Sequence, residues 1–250
     1  SETFIIGQAD GCAITTVKSN SPGTAAYLVS SATISSTYLD IQDISFTGIG
    51  STTFTANNSI NNPNNNGINF GNLSPRNMYW IGGTGDWSDG SKWSLTSGGP
   101  SLGCPPSSAD NLFFDQNSFS AANQTFKIDI DNAACKNITW AGVTNNPTFN
   151  YNSKELKVYK SYELDPNMSV TGNGTTNFNG TSTSTLDTKG NSLYSVNING
   201  ASVSLASPLR VTDYFRPYSG TFTSNNHDIR ARNWYNYVTQ NATMTINLGT

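Results

Sequence analysis

Four aspartates, Asp86, Asp89, Asp110 and Asp115, crowd one segment of this 250-residue chain, and clustered carboxylate oxygens are the ligands that calcium takes. Their spacing matches neither an EF-hand loop nor a nonapeptide calcium repeat. An aspartate at a turn serves equally well by closing an Asx turn, and turn chemistry is the preferred reading, with calcium the one cofactor the segment suggests. The same segment contains "YWIGGTGDWSDGSKW" (79–93), which holds three of the five tryptophans, Trp80, Trp87 and Trp93. Exposed indoles stack on sugars, whereas buried ones fill the ends of small β cores. Trp87 and Trp93 are the candidate carbohydrate contacts. The turns "GGTG" and "SDGS" between the rings suit three short antiparallel strands with every Trp on one inward side, which favours burial in a small satellite core.

A third group, Arg210, Asp213, His227, Asp228 and Arg230, could be gathered if the chain coils back on itself. A polysaccharide lyase needs a base and a charge-neutralising cation, and a glycosidase needs two facing carboxylates. Charged residues are only 12% of the chain, about half the usual share of roughly 25%, so material for a buried acid–base pair is scarce. The sequence has no Gly-rich phosphate loop, nucleophile elbow or HExxH, and the reading is non-enzymatic. With 13 basic against 16 acidic residues and a net charge of −3, the chain lacks the basic stripe that nucleic acid requires. Arg210, Arg216, Arg230 and Arg232 come nearest to one and read as a mildly basic solvated face. No window approaches the ~20 apolar residues of a membrane helix, and no signal-peptide pattern is visible. "SETFIIG" and "TMTINLGT" look like strands cut short, as in a piece of a longer protein.

The elements that must position these residues read as β throughout. "TFKIDID", "ELKVYKSYEL", "SVSLAS" and "TMTINLG" alternate polar and apolar and end in turn residues; helical periodicity is almost absent. Phe149, Leu186 and Phe222 fall in register at offsets of 37 and 36 residues, as do Leu156, Leu193 and Ile229. A longer repeat lays 32–48 over 126–142 at an offset of 94, matching Ile34 to Ile128, Ile41 to Cys135, Ile44 to Ile138, Phe46 to Trp140 and Gly48 to Gly142. Helix-free repeats that cannot bury an apolar face alone must stack. The expected fold is therefore all-β, a parallel β-helix or β-solenoid with Asn and Thr ladders along it. The rival is a pair of β-sandwich domains. Residues 1–73 read as the last coils of one module and 74–250 as the next, with 79–119 a Trp/Gly-rich hairpin segment and 120–250 solenoid coils.

The stretch "YWIGGTGDWSDGSKWSLTSGGPSLGCPPSSADNLFFDQNSF" (79–119) closely resembles a recurrent motif of very large surface proteins of Bacteroidetes, as do "ACKNITWAGVTNNPTF" (134–149) and "NNGINF" (65–70). These include the SprB-like adhesins of gliding bacteria. The resemblance implies a secreted, extracellular cell-surface adhesin exported by the type IX route and built from tandem modules. Its partners would be neighbouring modules of the same chain, a polysaccharide or abiotic surface, and the secretion and gliding machinery; membrane insertion and nucleic acid are not expected. The alternative is a carbohydrate-active β-helix enzyme or a carbohydrate-binding module. Cys104 and Cys135 both lie inside the motif. Either they form a disulfide, closing a loop of about 30 residues and adding roughly 3–4 kcal/mol, or they are buried free thiols. Cys12 lies outside the motif. With no CxxC pair and a single histidine, a structural zinc site is not expected.

Overall fold

The computed structural model describes residues 15–57, 59–71, 75–131, 133–235 and 242–249, together with the backbone of Thr3–Phe4. The chain forms stacked parallel coils, a β-solenoid of about 11 turns. Among the described residues its only helical element is one 3-10 turn, Gly90–Lys92. Two compact units are present, Ser1–Pro75 and Arg76–Thr250.

In the first unit each coil lays successive strands on separate sheets. Thr33–Thr37, Leu39–Gln42 and Ile44–Gly48 are consecutive in sequence, yet each pairs in parallel with the coil before and after it rather than with its neighbours. Single residues turn the corners: Tyr38 and Asp43 sit between these strands at φ +56° and +55°. Asparagine tolerates this left-handed conformation best after glycine. Seven of the eleven described non-glycine residues at positive φ are asparagines, so part of the Asn-rich composition is corner chemistry. Alternate residues turn inward, and Ile34, Leu39, Ile41, Ile44, Phe46, Phe54 and Ala56 form the core.

The second unit repeats the plan. Asn77–Trp80, Asn111–Phe114, Asn137–Trp140, Tyr162–Glu163 and Thr183–Asp187 stack in one parallel series, and Ala133–Cys135, Glu155–Val158, Thr175–Phe178 and Ser195–Leu205 in another. An inward column runs Met78, Leu112, Ile138, Tyr162, Leu186, Leu205, and a second runs Ala133, Leu156, Thr176, Val196, Phe215; Trp234, next in register, is exposed.

The repeat of 36–37 residues needs correction. Thr175 pairs with Ser195 and Leu209 with Ile229, 20 residues on in each case, so the sequence spacing spans about two coils. Its register is also wrong: Leu193 pairs with Val211 rather than standing in the Leu156 column. Every coil carries several inward columns, and an apolar residue from one aligns readily with an apolar residue from another. The 94-residue offset, by contrast, overlays element on element. Leu39–Gln42 and Ile44–Gly48 fall on Ala133–Cys135 and Asn137–Trp140, and Ile34, Ile41, Ile44 and Phe46 are buried like their counterparts Ile128, Cys135, Ile138 and Trp140.

Candidate binding surface

The tryptophan segment is built into the core. Asn77–Trp80 pairs in parallel with Asn111–Phe114 on one side and antiparallel with Trp93–Ser94 on the other, Trp80 facing Trp93. Trp93–Ser94 is thus the outermost strand of the sheet, and its reversed direction blunts an edge that would otherwise accept another parallel strand. Two strands of the segment pair antiparallel rather than the three expected: Gly85–Asp86 instead pairs in parallel with Thr125–Lys127. Trp80, Trp87 and Trp93 are all 0% exposed. Trp80 meets Phe126 at 4.7 Å, and Trp87 and Trp93 each meet it at 5.8 Å. These rings belong to the main core of the unit rather than to a satellite. The Trp80 Nε1–H donates to the Gly83 carbonyl at 2.9 Å and the Trp93 Nε1–H to the Trp87 carbonyl at 3.1 Å. Neither Trp87 nor Trp93 offers a face to a sugar.

The four aspartates do not converge, and no group of three or more metal-ligating side chains occurs among the described residues. Asp86 lies opposite Lys127 and pairs with its Nζ at 3.0 Å. Asp89 caps the 3-10 turn, accepting from the Ser91 N–H at 3.0 Å, and the Ser91 hydroxyl, which donates to the same oxygen at 2.5 Å, leads the effects holding its carboxyl below the ordinary value of 3.8. Asp115 closes a turn on the Asn117 N–H at 2.9 Å. Asp110 is fully buried. Its carboxylate accepts from Arg76 Nε at 2.8 Å and Nη2 at 2.6 Å, and from the Ser107 N–H and Oγ–H at 2.8 and 2.7 Å. Three of these groups shape turns or surface pairs, and the fourth anchors the first strand of the unit.

Cys135 is a free, buried thiol, so the expected bridge to Cys104 is not formed. Cys135 stands where the earlier module has Ile41, in an inward column with Val158, Phe178 and Ile198. It packs as a small apolar side chain, and burial, then the Asp110 charge, pushes the thiol well above its usual range. Nearby, the Tyr151 hydroxyl meets those of Tyr162 at 3.1 Å and Thr176 at 2.6 Å, and burial raises both phenols. Cys12 lies outside the described residues.

The outward columns are mostly neutral ladders. Asn111 Nδ2 donates to Asn77 Oδ1 at 2.9 Å, Asn137 Nδ2 to Asn111 Oδ1 at 2.6 Å, and the Ser161 N–H to Asn137 Oδ1 at 3.0 Å. Asn197 to Asn177 and Asn199 to Asn179 form two further rungs at 2.6 and 3.0 Å. Another column runs Thr185, Ser204, Thr223, Asn247. Two features stand apart from these ladders. Tyr79 and Phe113 stack at 5.0 Å on the outward side of the sheet whose inward side holds Trp80 and Phe114; alternation alone placed them there, but the tryptophans drew the eye. On the last coils Arg210 is directly opposite Arg230, and a groove of about 370 Å³ is lined by Arg210, Thr212, Arg230 and Arg232. Of the five residues expected to gather, Arg210, Arg230 and Asp228 line one adjoining hollow. Asp213 instead faces Tyr194 and Asn233, and His227 donates its N–H to the Ser224 carbonyl in a turn.

The coils define a parallel β-solenoid whose polar rungs lie outside and whose aromatic rungs lie inside. Compared with protein-family models, curated proteins and solved structures, the chain matches none. The likeness to surface adhesins therefore rests on the motif residues alone. Among the described residues no helix is long and apolar enough to cross a membrane.

Proposed function

We propose that this chain is a non-enzymatic segment of a repetitive extracellular cell-surface adhesin, a solenoid shaft that attaches to surfaces or polysaccharides and serves gliding motility. One observation carries the reading: outer columns carry hydrogen-bonded rungs between neighbouring coils, Asn to Asn at four places and Thr148 to Ser169 at a fifth. Side-chain rungs add about 1 kcal/mol each on top of a continuous parallel ladder, which suits a load-bearing shaft. An uncharged polar exterior also stays hydrated without committing the shaft to one sign of counter-surface. The motif resemblance supplies the surface location and the tandem arrangement.

The test is attachment. Beads carrying the folded chain should stay bound to polysaccharide-coated or bare glass under flow, and the polysaccharide should keep its chain length after prolonged incubation. Shortening of the polymer would replace the adhesin with the carbohydrate-active enzyme, and release of the beads at the lowest flow would remove the adhesive role.

A further inference from the structure

On the last coils the mostly neutral exterior gives way to a predominantly positive face. From residue 190 onward the chain carries four arginines against two aspartates, Asp213 and Asp228, a balance of +2 in a protein whose total is −3. Arg216 is engaged, its guanidinium 4.0 Å over the Tyr214 ring and its Nη1 3.4 Å from Asn197 Oδ1. Arg210, Arg230 and Arg232 are exposed and line the groove.

Two observations mark this groove as built for a ligand. First, Arg210 and Arg230 are paired across neighbouring coils, which on a parallel sheet sets their Cα atoms ~4.8 Å apart. Like charges directly opposite destabilise a sheet. Among the described residues the acidic group paired with them is Asp228, 3.9 Å from Arg230 with both side chains about 80% exposed, a contact worth about 0–1 kcal/mol; Asp213 lies opposite Arg232 and is engaged with Asn233 and Tyr194. Second, the register slips at this point. Val211 pairs with Ala231, but the next pair is Tyr214 with Asn233, so Thr212 and Asp213 together oppose Arg232. Such bulges re-aim side chains, and here the bulge sits at the third arginine, with Thr212 lining the same groove.

We propose that Arg210, Arg230 and Arg232 form a binding site for an anionic polysaccharide, one that carries carboxylate or sulfate groups along its chain. Each guanidinium presents a planar fork that takes a carboxylate or sulfate in two parallel hydrogen bonds. Arg230 and Arg232, two residues apart on one parallel strand, have Cα atoms ~6.6 Å apart, and Arg210 lies one coil away. An array on those spacings can engage more than one acid group of the chain, and the Thr212 hydroxyl, whose proton goes to the Leu193 carbonyl at 3.4 Å, offers its oxygen as an acceptor for sugar hydroxyls. Duplex nucleic acid would need a longer basic stripe than three arginines provide. The proposal rests on the reading of the chain as a polysaccharide-attaching protein and names the chemistry of the attachment.

The test uses the whole chain immobilised on a sensor, with a polyuronate, a sulfated glucan, a neutral glucan and a DNA duplex as probes. Binding to the polyuronate or sulfated glucan should exceed that to the neutral glucan and weaken as salt rises. The variant R210Q/R230Q/R232Q should lose it at least 10-fold while its thermal midpoint holds or rises, because like-charge repulsion has been removed. Undiminished binding by the variant, or equal binding of neutral and acidic glucans by the native chain, would overturn the site and leave general adhesion standing. Equal or tighter arginine-dependent capture of DNA would overturn the polysaccharide assignment. Arginine-dependent glycan binding without retention on coated surfaces would sink the adhesive role and keep the site. Absence of binding to every probe would overturn the site.

Discussion

Replacement of Arg76 by alanine should destabilise the second unit severely, although Arg76 is the unit's first residue. The Asp110 carboxylate beside it is fully buried and accepts four hydrogen bonds, two of them from the Arg76 guanidinium at 2.6 and 2.8 Å. Each charge-assisted bond contributes about 1.5–3 kcal/mol. Removing both and leaving a buried carboxylate with only Ser107 as donor costs about 3–5 kcal/mol. For a unit of this size, with about 2–4 °C per kcal/mol, the thermal midpoint should fall by roughly 6–20 °C. Urea unfolding followed by tryptophan fluorescence reads the change where it occurs, because Trp80, Trp87 and Trp93 are buried in this unit. Pairing the change with Asp110→Asn should recover part of the loss, since the residual charge disappears. A loss below about 1 kcal/mol, the range of an exposed pair, would refute the claim that the ion pair anchors the first strand. So would a rise in the wild-type midpoint on adding calcium that Asp110→Asn abolishes, because the carboxylate would then be a metal ligand.

Other perturbations separate the remaining roles. Trp80→Phe removes a bond to the Gly83 carbonyl and leaves that carbonyl bare, whereas the Trp140 indole N–H has no hydrogen-bond partner. Trp80→Phe should therefore cost about 1–3 kcal/mol more than Trp140→Phe in urea titrations, and equal costs would show that the bond adds nothing. Asn137→Ala breaks bonds to both Asn111 and Ser161 and should cost about 1–2 kcal/mol, more than Asn77→Ala, which breaks a single rung; the same titrations check the order. Cys135 should resist iodoacetamide in the native protein and be alkylated after denaturation without reductant, and a peptide map showing it unmodified would restore a disulfide. Hydrogen bonds from Asn64 and then the Gly23 N–H hold the Asp43 carboxyl below its ordinary value of 3.8. A depressed folded-state value gives stability that is complete above the unfolded value and lost as pH falls through the folded one. The first unit should thus weaken below about pH 4, and Asp43→Asn should flatten that acid limb of its stability profile.

Much of the fold was legible because period-2 alternation is a direct consequence of the pleat. The strand pattern, the helix-free chain and the long offset all follow from it. The coil length did not, because the coils differ: Asn111 pairs with a partner 26 residues on and Ser202 with one 19 residues on. With several inward columns per turn, pairs two coils apart mimic a true repeat. The aspartates were ambiguous for another reason. A carboxylate near a turn has the same sequence signature whether it takes a backbone N–H, a lysine or a cation, and only Asp110 showed by its burial that it needed a full-charge partner. The pairing of Cys135 was the avoidable error. The 94-residue overlay already set it against Ile41, a core position, and a residue that replaces isoleucine in an inward column has its neighbours above and below it rather than across a loop.

The arginine array raises the opposite problem, since its residues were visible and read as a solvated face. Along a solenoid every outward residue meets its equivalents one coil above and one below. Neutral amides turn that proximity into rungs, as at Asn77, Asn111 and Asn137. A like-charged pair in the same geometry gains no rung and pays repulsion. A shaft selected only for stacking would place asparagine or threonine at 210 and 230, as it places asparagine at 77, 111 and 137. Where local choices oppose the fold they belong to, function is the usual cause. The size of the conflict is measurable without any ligand: Arg230→Asn alone should raise the thermal midpoint of the second unit, by up to about 2 °C for a few tenths of a kcal/mol. An unchanged or lower midpoint would mean that the guanidinium groups stack without conflict, and the argument from strain would fall even if the binding did not.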